Sequence, residues 1–329
     1  MLSSIAKTVI VAAALTGVVA TTSCSGQTMR ERWQQRMAER RAAGQGQQGG
    51  LLGGRRMQQQ PLVLPPGAQV DRDLAYGPDP AQRLDVYRPA NAQNAPVIFM
   101  VHGGGWARGD KSAAGVVNNK VAHWLPKGYV VVSVGYRMVP QVTPLGEADD
   151  VAKALAYVQD KARSWGADPS RIVVMGHSAG AHLVALVSAD TSITSRNGVS
   201  PWLGTVALDS GAYNVVEIMQ RRHFSFYDDA FGSDPRLWEA ASPTLRLTRA
   251  TVPLLLVCSS QRADSCSQAE AFADKAKSLG GRASVVPVDL KHGQINSQLG
   301  AAESNGFSAE DDDGLTTQVD NFLHSLNLP

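Results

Sequence analysis

The chain has 329 residues, of which 43% are hydrophobic and 18% charged, with a formal net charge of +2. That is enough apolar material for one large domain or two small ones, each with an ample core. The charge is unevenly placed. Residues 25–60 hold seven arginines against two glutamates, and the chain beyond Pro61 is mildly acidic. The basic stretch holds one aromatic, Trp33, so it lacks the interleaved stacking pattern of a nucleic-acid enzyme.

In chain order, the first 24 residues read as an export signal. Lys7 supplies a positive start, and Val9 to Ala20 is uncharged and mostly apolar but short for a membrane span. Two cleavage readings compete. Val18-Val19-Ala20 has the small-residue ending of an ordinary signal-peptidase site. Thr21-Thr22-Ser23-Cys24 is similar to a bacterial lipobox, with Thr21 where a large aliphatic residue is usual. The second reading is favoured: a cysteine just past an export signal is otherwise an odd choice, and Cys24 then carries the lipid. One acyl signal binds membranes weakly, and the basic tail offers a second contact. The expected address is the periplasm or an outer-membrane anchor. Residues 25–66, rich in Gln, Arg and Gly, read as a flexible linker, and residues 67–329 as the folded domain.

Within that domain strands and helices alternate. Arg83 to Tyr87 alternates polar and apolar, as a half-buried strand does, and Pro96 to Val101 is a continuous apolar run that ends in His102-Gly103-Gly104-Gly105-Trp106. Helical spacing covers Val116–Lys127 and Glu147–Trp165, with the apolar strand Tyr129–Val134 between them. Ile172 to Met175 reads as a short buried strand, then Gly176-His177-Ser178-Ala179-Gly180, then a buried helix. Further strands are expected at Gly204–Leu208, Val252–Val257 and Ala283–Val288, with helices at Ser267–Leu279 and Leu315–Leu326. This alternation predicts an α/β fold, a mostly parallel sheet with helices on both faces. Right-handed crossovers then gather the loops at Gly103, Ser178, Asp264 and His292 along one sheet edge.

The pentapeptide at Ser178 has the G-x-S-x-G form, in which a serine on a sharp strand-to-helix turn is held out as a nucleophile. Such a serine needs a base and a group that orients the base, in the chain order Ser, Asp or Glu, His. Of the histidines, His292 alone follows a final strand in an exposed-looking loop, and it is the expected base. For the acid, Asp264 in the loop after Val252–Val257 is favoured on position, with Asp209 at the end of the preceding strand as the alternative. Gly104 and Gly105, with Ala179 after the nucleophile, are the expected backbone donors to an oxyanion. Metal-ligand clusters are absent from the sequence, and the chemistry needs neither metal nor cofactor.

On these residues the chain resembles the α/β-hydrolase superfamily, and within it the HGGG esterases related to hormone-sensitive lipase. Tyr136-Arg137 and Asp149-Asp150-Val151-Ala152 are similar to that group. Leu84-Asp85-Val86-Tyr87-Arg88-Pro89 and Tyr227-Asp228-Asp229-Ala230-Phe231-Gly232 look closer to feruloyl-esterase-like bacterial hydrolases. The resemblance covers roughly residues 70–327 and implies an α/β-hydrolase fold and a carboxylesterase acting on small or medium esters. Arylformamide hydrolysis and feruloyl ester cleavage are the enzymatic alternatives. A surface-anchored binding module on a hydrolase frame is the alternative outside enzymes. The chain departs from the usual pattern at Met138-Val139-Pro140-Gln141, where Leu-Ala-Pro-Glu is common, and at Gln261-Arg262-Ala263-Asp264, which lacks the Gly-Asp-x-Asp lead-in. Cys258 and Cys266 bracket Asp264, and a disulfide between them would fix the acid loop; a buried Cys258 with a free Cys266 is the competing reading. Residues 213–243 are rich in aromatics and read either as a lid over the site or as a plain surface excursion, with Trp106 lining the opposite wall.

Overall fold

The structure, a computed structural model, describes residues 61–301 and 314–329. The expected signal segment, the Cys24 lipidation site and residues 25–60 of the linker lie outside the described residues.

Eight strands form one sheet in the order β1-β2-β4-β3-β5-β6-β7-β8. They are β1 (Gln69–Ala75), β2 (Arg83–Arg88), β3 (Ala95–Val101), β4 (Val130–Val134), β5 (Ala167–His177), β6 (Gly204–Leu208), β7 (Leu254–Ser259) and β8 (Ala283–Val288). β1, β2 and β4 pair antiparallel, and every pair from β4 through β8 is parallel. Every residue of β3, β4, β6 and β7 is buried, as strands covered on both faces require.

Side chains alternate across the pleat, so one strand feeds two cores. Val97, Phe99 and Val101 of β3 face a layer built by α2 (Pro144–Lys161), α3 (Ala179–Ala189) and α9 (Ser265–Ser278), through Val151, Leu155, Leu183 and Phe272. Ile98 and Met100 face the opposite layer of α1 (Ala114–Trp124), α10 (His292–Gln298) and α11 (Leu315–His324), through Val121, Trp124, Ile295 and Val319. The helix α3 is buried at every position, so it is apolar on all sides rather than amphipathic. It is the innermost helix, and it begins at the residue after Ser178.

The expected sheet, helix positions and α/β-hydrolase architecture hold. Helix ends move by a few residues. α2 starts at Pro144 rather than Glu147, because Thr143 is extended ahead of a proline, which suits a helix start. β5 is longer than Ile172–Met175: it reaches back to Ala167, where Ala95 of β3 pairs with it. Short helices α4 (Thr191–Arg196), α5 (Val215–Met219), α6 (Ser225–Phe231), α7 (Pro235–Ala240) and α8 (Pro243–Arg246) fill the connections on either side of β6.

Candidate active site

β5 ends at His177, and the chain turns into α3 at Ser178, which takes φ 58° and ψ −119°. A non-glycine residue there is strained, and the surrounding structure must hold it. The two flanking glycines make the turn feasible. A Cβ on Gly176 would lie 2.4 Å from the Gly180 carbonyl oxygen, and one on Gly180 would lie 2.3 Å from that of Val101 in β3. The turn is thus wedged between its own helix and the neighbouring strand. Ser178 N–H donates to the Leu208 carbonyl of β6 at 2.9 Å, which locks the serine to the strand on its other side.

His292 opens α10, just beyond β8. Its Nε2 lies 2.9 Å from Ser178 Oγ, and its Nδ1 lies 2.5 Å from Asp209 Oδ2. A carboxylate only accepts, so Nδ1 carries the proton and the Nε2 lone pair accepts from the serine hydroxyl. The expected serine and base therefore meet. The expected acid does not join them. Asp264 precedes the first residue of α9 with its side chain 64% exposed, makes no side-chain bond to the helix end, and pairs with Arg221 at 3.6 Å. The residue that reaches His292 is Asp209, at the end of β6, with a wholly buried side chain. The physical reason lies in the loop after β7. It turns Arg262 and Ser265 inward and leaves Asp264 facing solvent, while β6 ends next to the elbow strand and delivers Asp209 directly. Asp209 sits at φ 55°, a left-handed position that aspartate tolerates better than most residues.

Burial alone would raise the Asp209 carboxyl pKa. The hydrogen bond from His292, the Arg262 charge, and the Ser265 and Ser259 donors outweigh it and hold the group well below the usual carboxylate range. Asp209 is thus an anion wherever the imidazole must be steadied. His177, next to the serine, was not expected to take part. Its Nε2 lies 2.9 Å from the His292 carbonyl oxygen and its ring packs against the His292 ring at 4.6 Å. Burial, then repulsion from His292, pushes its pKa down to about 3, so it is neutral and donates through Nε2–H. It holds the backbone of the base in place. No local sequence signal separates such a histidine from a spacer within G-x-S-x-G.

The glycine loop after β3 lies hard against this group. A Cβ on Gly103 would meet Ser178 Cβ at 2.8 Å, and Gly104 adopts φ 135°, which only glycine takes easily. The N–H groups of Gly104, Gly105 and Ala179 donate to no other group among the described residues, and all three residues line the cleft beside Ser178. The motif at Tyr136-Arg137 braces this loop from behind. Tyr136 Oη donates to the His102 carbonyl at 2.8 Å, its ring stacks on His102 at 4.4 Å, and Arg137 forks onto Asp150 at 2.7 and 2.6 Å. Gln141, where a carboxylate is common, turns away to Asp79. Glu147 at the start of α2 is fully buried with neither oxygen hydrogen-bonded. Burial pushes its carboxyl well above the ordinary range, so it is neutral.

The cleft over Ser178 has a volume of about 1070 Å³. Trp106 forms one wall, buried and hydrogen-bonded through Nε1 to His182 Nδ1 at 3.1 Å. His182 donates its other ring nitrogen to the Ala241 carbonyl at 2.7 Å, and burial pulls its pKa down to about 4. The aromatic segment 213–243 divides. Tyr213 and Phe231 are buried in the core, whereas Phe224, Phe226 and Tyr227 line the cleft, with Phe226 packed 4.3 Å from Tyr227. It is partly wall and partly filler, so each reading captures half of it. Cys258 and Cys266 form a disulfide with a Cα separation of 5.0 Å. Among the described residues there is no cluster of three or more metal-ligating side chains, and no helix long and apolar enough to cross a membrane.

The BD-FAE family model, which describes feruloyl-esterase-like α/β hydrolases, matches residues 84–273, more than half of the chain. The chain belongs to that family. Among curated proteins it is 29% identical over 280 residues to an isoprenylcysteine α-carbonyl methylesterase of Arabidopsis thaliana, covering 75% of this chain and 64% of that one. It is also 29% identical over 202 residues to esterase LipC of Mycobacterium tuberculosis, covering 56% and 49%. The chain thus spans less than two thirds of the length of these relatives. Among solved structures, esterase B from Lactobacillus rhamnosis superposes with a TM-score of 0.64 at 20% identity, over 91% of this chain and 93% of the other. A truncated carbohydrate esterase from gut microbiota gives 0.64 at 17% identity, over 78% and 96%. These two likenesses establish the fold.

Proposed function

We propose that this BD-FAE-family α/β hydrolase is a serine carboxylesterase that cleaves small or medium carboxylic esters through an acyl-enzyme. The observation that carries this reading is the line Ser178 Oγ, His292, Asp209, with contacts of 2.9 and 2.5 Å, placed beside a glycine loop with unengaged N–H groups. Ser178 Oγ attacks the ester carbonyl while its proton passes to His292 Nε2. Asp209 steadies the imidazolium through Nδ1–H. The carbonyl oxygen becomes an oxyanion and takes the N–H groups of Gly104, Gly105 and Ala179; one such donor is worth on the order of 3 kcal/mol in the transition state. The alcohol leaves with the proton from Nε2. Water then repeats the sequence on the acyl-serine and releases the acid. Turnover of p-nitrophenyl acetate, with covalent labelling of Ser178 by a fluorophosphonate, tests the reading; a protein with neither property refutes it.

A second reading is favoured by the walls of the cleft. Phe224 and Phe226, exposed in the cleft and backed by the buried Trp106 and Tyr227, offer aromatic surface to an aromatic acyl group, as a feruloyl ester would present. A matched panel of acetyl, feruloyl and arylformamide substrates discriminates the readings. With Phe226→Ala, KM for the feruloyl ester rises several-fold while acetyl turnover changes less than about twofold. An equal change on both substrates would remove the aromatic subsite.

The amino-terminal sequence supports export and lipidation at Cys24, and a disulfide suits an oxidising compartment. Fractionation of the Cys24→Ser variant tests the anchor: loss from the membrane fraction supports it, and unchanged partition argues for ordinary cleavage after Ala20.

A further inference from the structure

The Asp209 carboxylate accepts four hydrogen bonds, and only one comes from His292. Ser259 N–H donates to Oδ1 at 2.9 Å, Ser265 Oγ donates to the same oxygen, and Arg262 Nη1 donates to Oδ2 at 2.7 Å and to the Asp209 carbonyl at 3.0 Å. These three donors lie some fifty residues further along the chain, and all fall between Cys258 and Cys266, inside the ring that the disulfide closes. None of the four donors lies on β6 itself. The two ends of the ring are anchored on β7 and α9, and its middle, residues 261–264, is held more weakly. Ser260 N–H donates to the Val288 carbonyl of β8 at 3.0 Å, Ser259 Oγ donates to the Leu290 carbonyl at 2.6 Å, and the Asp264 carbonyl accepts from Gln268 of α9. Gln261, Ala263 and Asp264 are exposed, and the turn itself is closed by backbone bonds of 3.2 and 3.3 Å and by polar contacts from Gln261 and Asp264. An exposed loop of this kind samples many conformations unless it is cross-linked.

We propose that the Cys258–Cys266 loop is the positioning device of the catalytic acid, with Arg262 and Ser265 as positioning residues, so that full activity requires the oxidised disulfide. The inference rests on the Ser178–His292–Asp209 reading above. Asp209 must stay ionised although it is wholly buried, and it must present Oδ2 to Nδ1 within a narrow angle. The serine and backbone donors occupy Oδ1 and leave Oδ2 for the imidazole and Arg262. Arg262 bridges the carboxylate and the carbonyl of the same residue, which fixes the side chain against rotation. It also lies 3.1 Å from His292 Nδ1, so its charge opposes the imidazolium that Asp209 favours. The charged or titratable groups facing the imidazole are therefore Asp209, Arg262 and the neutral His177, and the buried Lys120, held by the Gly115 and Asn296 carbonyls, acts on His177 through its charge. Reduction by a dithiol breaks the Sγ–Sγ bond. Two electrons and two protons pass to the cysteines, giving two thiols, and the dithiol becomes a cyclic disulfide. The donors then remain in sequence but lose their common frame.

The test uses the full chain with p-nitrophenyl acetate and a fluorophosphonate. On reduction, two additional thiols titrate, kcat falls roughly 10- to 100-fold, KM stays within about threefold, and reoxidation restores activity. Ser265→Ala lowers kcat with the disulfide intact. Arg262→Met lowers kcat and moves the acid limb of kcat/KM to higher pH, because a cation opposing the imidazolium is gone. Arg262→Lys returns the limb toward its original position but recovers kcat only partly, since an ammonium cannot bridge both oxygens. The low-field proton resonance of the His292 Nδ1–H is displaced in the reduced protein and in Ser265→Ala. Unchanged kcat and pH profile in the fully reduced protein would overturn the proposal. If reduction unfolds the chain, as circular dichroism would show, the Ser265 and Arg262 variants decide it, and wild-type kinetics in both would sink it. Failure of the wild type to label at Ser178 would instead refute the underlying triad.

Discussion

Asp209 and Asp264 follow neighbouring strands of the same sheet edge, β6 and β7, and both line the cleft above Ser178. One is wholly buried and held by four donors; the other is 64% exposed and lies 3.6 Å from a single arginine. The position after β7 is where a chain of this order is expected to carry its acid, yet here that loop carries the acid's support. A carboxylate becomes the third member of such a site through the donors that orient it, and these choose Asp209.

The floor is set by Ser178→Ala, which should reduce ester turnover by about 10⁶-fold, to the background rate, in a steady-state assay. Retained turnover would void the site in which either aspartate could matter. Stability gives a second contrast. Asp209→Ala strands the Ser259 N–H, the Ser265 hydroxyl and one face of Arg262 in a buried space, and should cost roughly 3 kcal/mol by urea unfolding. Asp264→Ala should stay within about 0.5 kcal/mol, because its side chain is mostly exposed and makes no capping hydrogen bond. Equal losses would mean that the two acids are structurally equivalent.

Acid pH sharpens the same contrast in the unmodified protein. His182 is buried and its pKa is depressed to about 4, against an ordinary value of 6.5. Between those values the unfolded chain binds the proton and the folded one does not, so stability falls as pH drops from 6.5 toward 4, by roughly 3 kcal/mol for this residue alone. His177, held at about 3, extends the loss in the same direction. Asp209 contributes separately. Its folded pKa lies below the ordinary 3.8, so its stabilisation is complete above that value and is lost as pH falls through the folded one. The thermal midpoint should therefore decline from about pH 6.5 downward, with a further loss below pH 4 that Asp209→Asn reduces and Asp264→Asn leaves in place. A flat midpoint between pH 7 and 4 would contradict the burial of both histidines.

Much of this was legible in the chain because it is local. A five-residue pattern locates the strand-to-helix turn at Ser178, an apolar run ending in three glycines locates the loop packed against it, and His292 follows the last strand. Each is specified by a few adjacent residues whose physical requirements are strict. The disulfide was readable as a hypothesis for a similar reason, with two cysteines eight positions apart at a strand end and a helix start. The acid was not readable in this way. Its identity depends on which side chains of a loop fifty residues later turn inward, and Arg262, Ser265 and Ser259 carry no pattern that says so. A signal was present: Asp209 directly follows a buried strand beside the elbow strand. It weighed less than the positional habit favouring Asp264. His177 was missed because a side chain that clamps a backbone carbonyl 115 residues away leaves no periodicity to read.

The most direct test of the account is the rate at which a fluorophosphonate labels Ser178 in the wild type, Asp209→Asn and Asp264→Asn, followed by intact mass and peptide mapping. It needs no knowledge of the natural ester. The account predicts that Asp264→Asn labels within about threefold of the wild type. It predicts that Asp209→Asn, which loses the carboxylate and the correct imidazole tautomer, labels roughly 10³- to 10⁴-fold more slowly. Slow labelling of Asp264→Asn with a wild-type rate in Asp209→Asn, or a label on any residue other than Ser178, would contradict it.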